Sequence, residues 1–250
     1  MTLRLQILSD LHTEFGWNRG DDFLNHLDPV GIDILILAGD ICVAQNMIDC
    51  IGAFCRLYKN STVLWIHGNH EYYQSDRDTV CRLSKQCEKE NSNLRWLDNT
   101  VVEVNGQRFL GATMWFEDTP ENKYYKHGLN DFRIIRNFEK WVYVENDKTK
   151  KFIESECRPD DIVITHHLPA DDSVASMYRN DKLNRFYMCD VRHLIVKNAP
   201  KLWIHGHTHD SFRYKIMCEG GSECEVICNP RGYWRHQLNN NFVRDLIVDV

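Results

Sequence analysis

Five short apolar segments of this chain each end in residues that can bind a metal ion. The polar residues that follow them are Asp10 and His12, Asp40, Asn69 and His70, His166, and His207 and His209. Runs of this length bounded by polar or glycine residues predict buried strands. Ligands of open α/β sheets bind outside the carboxyl ends of the strands. We therefore expect these side chains to meet at one edge of a sheet.

The histidine-rich stretch after residues 201–204 is the most explicit of these strand ends. His205, His207 and His209 alternate with small residues, so an extended backbone would turn all three to one side. A loop after the strand would splay the last two apart. Neutral imidazole is a common ligand of zinc-like cations. Three histidines in this spacing favour metal ligation over a solvated polar turn.

Hydrophobic periodicity predicts an α/β chain with alternating strands and helices over its first half. A single domain over residues 1–250 is the simplest account, because the sequence contains no repeat, low-complexity tract or linker. Asn105-Gly106 predicts a hairpin turn. We predict strands at 3–8, 32–38, 62–66, 94–96, 101–104, 108–113, 161–164, 201–204, 212–217, 223–228 and 243–250, and helices at 47–58, 79–90, 148–157 and 191–198.

Two segments have no clear periodicity, at 114–137 and 171–188. The first is expected to be a loop or short insertion over a site. Within it, Arg133 is a candidate substrate contact, although exposed arginines are more often simply solvated. Trp17, Trp115 and Trp141 are compatible with the core, a pocket wall or an interface.

Charge and cysteine content exclude several classes of protein. The formal charge of −6 and pI of about 6.0 give no general attraction to phosphate backbones or acidic membranes. No segment approaches the roughly 18 apolar residues of a membrane span, and we expect a cytoplasmic protein. The ten cysteines contain no CxxC pair and are expected to be small buried residues. A zinc site at Cys218, Cys224 and Cys228 is the weaker alternative.

The candidate ligands are too numerous for a single four-coordinate ion. They suit two divalent ions that share a bridging carboxylate, an arrangement that clamps a phosphoryl group and lowers the pKa of a bridging water. The ligand set contains nitrogen and oxygen atoms and no thiolate. Manganese is the leading candidate, with iron, zinc or nickel as alternatives.

Together these motifs resemble the calcineurin-like metallophosphoesterase superfamily. All five occur in family order across nearly the whole chain: Asp10-x-His12, Gly39-Asp40, Gly68-Asn69-His70-Glu71, His166 and Gly206-His207-x-His209. The stretches GNHEYY, NDFRIIR, WIHGHTHDSF and NPRGY are similar to those of compact single-domain bacterial and phage members. The resemblance implies a four-layer α/β/β/α sandwich with a dinuclear site between the edges of two sheets.

The resemblance also implies a role for each residue. Asp10, His12, Asp40 and His209 would hold one metal ion, and Asp40, Asn69, His166 and His207 the other. A metal-bridging hydroxide would attack phosphorus, with Asp40 as the shared carboxylate. His70, a non-ligand, would stabilise the developing charge or protonate the leaving oxygen.

Further residues are expected around the substrate and the ligands. Asn69 and His70 would also contact the substrate, and Arg231 is a weaker candidate whose alternative is a surface arginine in a turn. Glu71 would orient a neighbouring group. His167 would support the ligands or the fold, because adjacent residues of a strand point in opposite directions.

The predicted function is hydrolysis of a small phosphate ester or nucleotide, as a monoesterase or a diesterase. Ile41-Cys42-Val43 follows Gly39-Asp40 where protein serine/threonine phosphatases carry an arginine, which disfavours that class. No extra domain or basic surface indicates a repair nuclease, and no stable nucleic-acid partner is expected. The alternative is a non-catalytic or nucleic-acid-binding protein that retains the fold.

Overall fold

A computed structural model describes residues 2–16 and 22–250, and the statements below concern those residues; Trp17 lies outside them. The strands form two large sheets and one small hairpin. They are β1 (Arg4–Leu8), β2 (Ile34–Ala38), β3 (Thr62–Ile66), β4 (Leu94–Trp96), β5 (Thr100–Val104), β6 (Gln107–Ala112), β7 (Ile162–Thr165), β8 (Leu202–His205), β9 (Phe212–Met217), β10 (Glu223–Cys228), β11 (Gly232–Tyr233), β12 (Gln237–Leu238) and β13 (Ile247–Asp249).

Both large sheets have a parallel centre, with one antiparallel edge strand in the first sheet and two in the second. The first has the order β13-β1-β2-β3-β4, in which only β13 is antiparallel to its neighbour. The second has the order β5-β6-β7-β8-β10-β9, with antiparallel pairs at β5-β6 and β10-β9. Parallel strands place their carboxyl ends at the same edge, which brings the predicted ligand-bearing turns together.

Helices cover the outer face of each sheet. The α-helices are α1 (Thr13–Gly16), α2 (Met47–Leu57), α3 (Arg77–Glu90), α4 (Asn122–Tyr125), α5 (Asp131–Ile134), α6 (Val142–Glu156) and α7 (Arg192–Asn198). Short 3-10 helices occupy Phe23–His26, Ala44–Asn46, His70–Tyr72, Lys126–Gly128, Phe138–Lys140, Asp171–Ser173, Ser176–Tyr178, Lys182–Phe186 and Glu219–Gly221. Helices α2 and α3 pack on the first sheet, and α6 and α7 on the second.

The four layers follow from the side-chain alternation of the strands. In β2, Ile34 and Ile36 pack between the two sheets, whereas Leu35 and Leu37 face the helices. In β8, Ile204 faces the other sheet and the alternate residue Trp203 faces its own helical layer. Both faces of these strands are therefore buried, which explains their nearly continuous apolar sequence. The predicted α/β/β/α sandwich is confirmed.

Most element boundaries agree with the pattern to within two residues, and the main exception has a structural cause. Helix α6 begins at Val142 rather than at 148. Its first turn buries the polar residues Glu145 and Asn146, and the Asn146 amide donates to the Met114 carbonyl at 2.9 Å. Buried polar side chains hide the apolar period on which the prediction depends.

The cysteines behave as predicted. All ten are free, and all except the half-buried Cys81 are buried. The clusters of potential metal ligands in the described residues contain no cysteine, so the zinc alternative at Cys218, Cys224 and Cys228 is not supported. Among the same residues, no helix combines the length and apolarity required to cross a bilayer.

Candidate metal centre

The five ligand-bearing turns lie side by side, joined by backbone hydrogen bonds within each sheet and by the carboxylates of Asp10 and Asp40, which accept the His207 and His70 amides. The Asp10 amide donates to the Gly39 carbonyl and the His12 amide to the Asp40 carbonyl, each at 3.0 Å. The Gly206 amide donates to the His166 carbonyl at 3.1 Å, which links the turns of the second sheet. Because the turns are tied to one another, their side chains are delivered to one place.

Five candidate ligands have left-handed backbones, which is unusual for residues other than glycine. Their φ angles are +50° at Asp10, +45° at His12, +54° at Asp40, +72° at His207 and +55° at His209. Such conformations cost on the order of 1–3 kcal/mol each and persist only where the surroundings impose them. The strained backbone turns the side chains into the gap between the sheet edges.

One cluster of ligands consists of Asp10, His12 and His209, whose ligand atoms all lie within 4.8 Å of one another. The Nε2 atoms of His12 and His209 are 2.9 Å apart, and His209 Nε2 is 3.5 Å from Asp10 Oδ1. His12 Nδ1 faces the Glu14 carboxylate at 3.2 Å, so this nitrogen carries the proton and Nε2 keeps its lone pair. Two imidazole nitrogens directed at each other in this way are the donor set of a bound cation.

The second cluster consists of Asp40, His166 and His207. His166 Nδ1 donates to the Ala38 carbonyl at 3.0 Å, which turns Nε2 toward Asp40 Oδ2 at 3.4 Å. The Nε2 atoms of His166 and His207 are buried and have no hydrogen-bond partner. Unpaired buried nitrogens are costly, and a metal ion at this position would satisfy both.

Asp40 stands between the two clusters. Its Oδ2 is 3.4 Å from His166 Nε2 and 3.8 Å from His12 Nε2. Its Oδ1 accepts the backbone N–H of His70 at 2.8 Å. Burial opposes ionisation, but the surrounding histidines hold the pKa of Asp40 well below its usual range. The charged carboxylate is thus placed where an ion on either side would meet it.

Asn69 presents its oxygen to the same gap. Its amide nitrogen donates to Asp131 at 2.9 Å and to the Tyr73 hydroxyl at 3.2 Å. Its Oδ1 is buried without a hydrogen-bond partner. Asp131 therefore fixes the orientation of the amide, and the free oxygen fits a metal ligand of the second cluster.

His70 is held by residues on both sides of its ring. Its Nδ1 is 2.7 Å from Glu14 Oε1, its Nε2 is 3.4 Å from the Tyr233 hydroxyl, and the ring stacks on Tyr73 at 4.0 Å. Burial lowers the pKa of His70, but Asp40 and Glu14 outweigh it and raise the pKa to about 9. Burial would raise the pKa of Glu14, but its hydrogen bonds to His12 and His70 outweigh burial and lower that pKa to about 2. The pair is an imidazolium next to a carboxylate.

Glu71 ties two of the turns together. Its carboxylate accepts the backbone N–H groups of Gly68 at 2.8 Å, Ile41 at 2.9 Å and Asp40 at 3.0 Å. Burial and the charge of Asp40 raise the pKa of Glu71 to about 7. Glu71 thus positions the Asp40 backbone rather than facing the gap.

His167 lies behind the ligand histidines. Its Nδ1 donates to the Thr113 carbonyl at 3.1 Å, and its ring centroid is 4.5 Å from that of His207. Burial and the neighbouring His166 lower the pKa of His167 to about 3, so it packs as a neutral ring. Strand β7 ends at Thr165, and the rings of His166 and His167 both contact that of His207, so the opposite directions expected from an extended strand are not seen.

Two glycines are required by the close packing of the turns. A Cβ atom at Gly68 would lie 2.1 Å from Asp40 Oδ1 and 2.6 Å from His166 Nε2. At Gly39, where φ is +85°, it would lie 2.4 Å from His166 Nδ1. Side chains at either position would displace candidate ligands, so glycine permits this close approach of the turns.

One sequence expectation needs correction, and two candidate arginines lie apart from the candidate ligands. His205 does not share a side with His207 and His209, because the left-handed backbone ends the alternation; its Nε2 is 2.7 Å from Ser173 Oγ. The Arg133 guanidinium donates to Asn130 and lines a separate surface hollow. The Arg231 guanidinium lies 4.3 Å from the Phe23 ring centroid, in another hollow. Neither arginine lies among the side chains around the candidate ligands, and a substrate contact at either stays a prediction.

Glu14, Tyr73, Asp131 and Tyr233 were missed by sequence reasoning. Glu14 follows His12 by two residues, but its contact with His70 spans 56 positions. Asp131 meets Asn69 across 62 positions. No local pattern reports such contacts, although Asp131 lies in the segment that was expected to cover a site.

A cleft of about 280 Å³ opens onto the clusters. Its inner end contains Asp40, Asn69, His70, His207 and His209. The two aperiodic segments line the rest of the cleft with residues from 128–131 and 174–187. These residues are called the outer wall below. The β11–β12 hairpin contributes Tyr233 and Gln237 to the opposite side.

Comparison with known proteins agrees with this geometry. An uncharacterized protein of Acanthamoeba polyphaga mimivirus, L509, is 26% identical over 273 residues, covering 94% of this chain and 93% of the relative. The structure of phosphopantetheinyl hydrolase (PptH) from Mycobacterium tuberculosis superposes with a TM-score of 0.71 at 15% identity, over 100% of this chain and 96% of that one.

Another similar structure is TT1561 of Thermus thermophilus, with a TM-score of 0.56 at 17% identity, over 93% and 90% of the two chains. These structural likenesses establish the fold. The sequence model described as calcineurin-like phosphoesterase matches residues 3–211 and therefore includes every candidate ligand. The expected family is confirmed: the chain belongs to the calcineurin-like phosphoesterases.

Proposed function

We propose that this protein hydrolyses phosphate esters with a pair of divalent metal ions. The observation that carries the proposal is the set of buried, unpartnered ligand atoms His166 Nε2, His207 Nε2 and Asn69 Oδ1 around the Asp40 carboxylate. Buried polar atoms without partners are costly, and three of them around one carboxylate favour a bound cation. Family membership supports the proposed reaction class, and the cleft would admit a small phosphate ester or nucleotide.

Each metal ion would be held by one cluster, with Asp40 common to both. Asp10, His12 and His209 complete one ligand set, and Asn69, His166 and His207 complete the other. When bound, the two cations would supply an activated water and neutralise charge that develops on the phosphoryl oxygens. The mixed nitrogen and oxygen donors suit manganese, iron, zinc or nickel, and manganese is proposed as the first to test.

His70 is proposed to act on the departing oxygen. Glu14 holds Nδ1 at 2.7 Å, which directs Nε2 toward Tyr233 and the cleft. The imidazolium form can donate a proton at Nε2 or stabilise negative charge there. Glu14 thereby acts as a positioning residue that touches both His12 and His70.

The protein is proposed to act as a single domain. Its ten unpaired cysteines suit a reducing compartment such as the cytoplasm. Expression with a fluorescent tag would test this location, and recovery of the protein from a secreted or periplasmic fraction would contradict it.

The direct test measures hydrolysis of p-nitrophenyl phosphate and bis-p-nitrophenyl phosphate by protein stripped of metal and reloaded with manganese, iron, zinc or nickel. We expect the rate of hydrolysis to rise with metal content and to reach its maximum at two ions per chain. Elemental mass spectrometry measures the metal content. The ratio of the two rates assigns monoester or diester preference. Two bound ions without turnover of any ester would favour the binding-protein alternative, and failure to bind metal would refute the proposal.

A further inference from the structure

The cleft has an unusual charge distribution outside its metal-binding end. Among the residues that the structure describes, no lysine or arginine lines it. Besides Asp40, it contains two further carboxylates, Asp131 and Asp181. Asp131 is buried and bonded to Asn69, whereas Asp181 is exposed and caps the turn at Leu183. A substrate that extends away from the metal ions therefore meets negative charge.

Basic side chains in the neighbouring segments are directed to other partners. Lys126 pairs with Glu139 at 2.7 Å. Arg185 lies 4.8 Å from the Tyr125 ring centroid and 3.9 Å from Glu121. As described above, Arg133 and Arg231 line separate hollows. These contacts hold Lys126, Arg185, Arg133 and Arg231 away from the cleft. Arg179 and Lys182 are exposed beside the outer wall and are not among its described lining residues.

The remaining surface of the cleft is aromatic, aliphatic and amide in character. Tyr178, Leu183 and Tyr187 contribute to the outer wall, and Asn184 and Gln237 offer neutral hydrogen-bonding groups. Phenol rings and leucine side chains favour an uncharged organic group with an apolar or aromatic face. These groups provide no counter-charge for a second phosphate or a carboxylate.

We infer that the site accepts phosphate esters whose only anionic group is the one at the metal ions, carried on an uncharged organic alcohol with an apolar or aromatic face. This inference rests on the proposed function and adds the substrate class. Esters with a second anion on the leaving side, such as nucleoside di- and triphosphates, are discriminated against. The phosphoryl charge is met by the metal ions, whereas a distal charge meets only carboxylates and neutral groups.

The test uses two aryl phosphates of nearly equal size and shape that differ by one charge. These are 4-carbamoylphenyl phosphate and 4-carboxyphenyl phosphate, with their methyl diesters in case the enzyme prefers diesters. We expect kcat/KM to favour the carbamoyl compound by about fivefold or more, the size of one screened charge repulsion over several ångströms. Equal rates, or a preference for the carboxylate, would overturn the inference.

Variants of Gln237 make the test specific to the cleft, because this exposed side chain lines it. Gln237→Lys should narrow the carbamoyl-to-carboxylate ratio and Gln237→Glu should widen it. The matched control is Gln86→Lys, the same charge change on the exposed side of helix α3, which should leave the ratio unaltered. A ratio that responds equally to Gln86→Lys reports net charge and contradicts a cleft effect. Arg19 lies outside the described residues. Slower turnover of 4-carboxyphenyl phosphate by the Arg19→Ala variant would also contradict the inference.

A binding measurement separates this inference from the proposed reaction. Ligand-observed NMR with the metal-free protein should detect 4-hydroxybenzamide more strongly than 4-hydroxybenzoate, and Gln237→Lys should reduce the difference. Binding discrimination without hydrolysis of any ester would support the charge preference and refute the proposed function. Hydrolysis with no discrimination in either measurement would refute the charge preference alone.

Discussion

The inner end and the outer wall of the cleft are built in opposite ways. The inner end consists of turns at strand termini, with left-handed backbones, buried carboxylates and histidines, and hydrogen bonds from one turn to the next. The outer wall consists of short helical turns from two aperiodic segments, with half-exposed tyrosines and leucines and no basic lining residue among those described. Under the proposed function, this difference separates chemistry from selectivity: the inner end would fix the reacting groups, and the outer wall would present a surface to the leaving group.

The largest effect should come from the inner end, at the carboxylate shared by both clusters. Asp40→Asn removes the charge that either ion would meet, and we expect both metal content and turnover to fall. The loss should exceed the roughly 10–100-fold that is typical for residues behind a metal ligand. Asp33→Asn, at an exposed carboxylate far from the cleft, is the matched control. Retention of two ions by Asp40→Asn would show that Asp40 is not shared.

His70 should separate metal binding from catalysis. We expect His70→Ala to keep both ions and to lose about 10²–10⁴-fold in kcat, the range of general acid assistance. Elemental analysis measures the number of bound ions, and steady-state kinetics measures kcat. His193→Ala, at an exposed histidine of α7, should change neither. Loss of one ion from His70→Ala would instead assign His70 as a ligand, which its position near His12 and Asp40 makes a direct alternative.

Glu71 should affect stability as well as activity. Glu71→Gln keeps the size of the side chain but leaves one acceptor oxygen for three backbone donors. We expect the free energy of unfolding to fall by about 2–4 kcal/mol, since hydrogen bonds to a charged group are worth ~1.5–3 kcal/mol each. Urea denaturation measures this change, with Glu103→Gln on the exposed side of β5 for comparison. An unchanged unfolding curve would mean that the turns are held by other contacts.

A smaller effect of a different kind is expected at the outer wall. Tyr178 is 40% exposed and lines the cleft, so Tyr178→Ala should raise KM by about two- to fivefold and leave kcat and metal content unaltered. Tyr124→Ala, at a tyrosine that is 70% exposed and does not line the cleft, is the control. A large loss of kcat from Tyr178→Ala would break the separation between the two regions.

The smallest effect should follow from removing Arg133. Its guanidinium donates to Asn130 and lines a hollow outside the cleft. Arg133→Ala should therefore leave kcat/KM for either chromogenic ester within about twofold of the unaltered protein. A tenfold loss would restore the substrate contact that the sequence suggested.

The sequence determined the fold and the identity of the candidate ligands. Short, nearly continuous apolar runs predict the strands, and polar residues at their carboxyl ends predict a site at the sheet edge, because both patterns are local. The order of the motifs along the chain predicted the four-layer architecture and the family. The predicted start of helix α6 was wrong because buried polar residues such as Asn146 interrupt the apolar period.

Only the tertiary structure decided how the side chains are oriented and which residues support them. His205, His207 and His209 are alike in sequence, yet left-handed backbones at the last two direct them away from His205. Glu14 and Asp131 reach His70 and Asn69 across more than 50 positions. The charge of the outer wall likewise depends on where Lys126, Arg133 and Arg185 find their partners. Composition and spacing record which groups a chain carries, whereas long-range packing decides which of them meet.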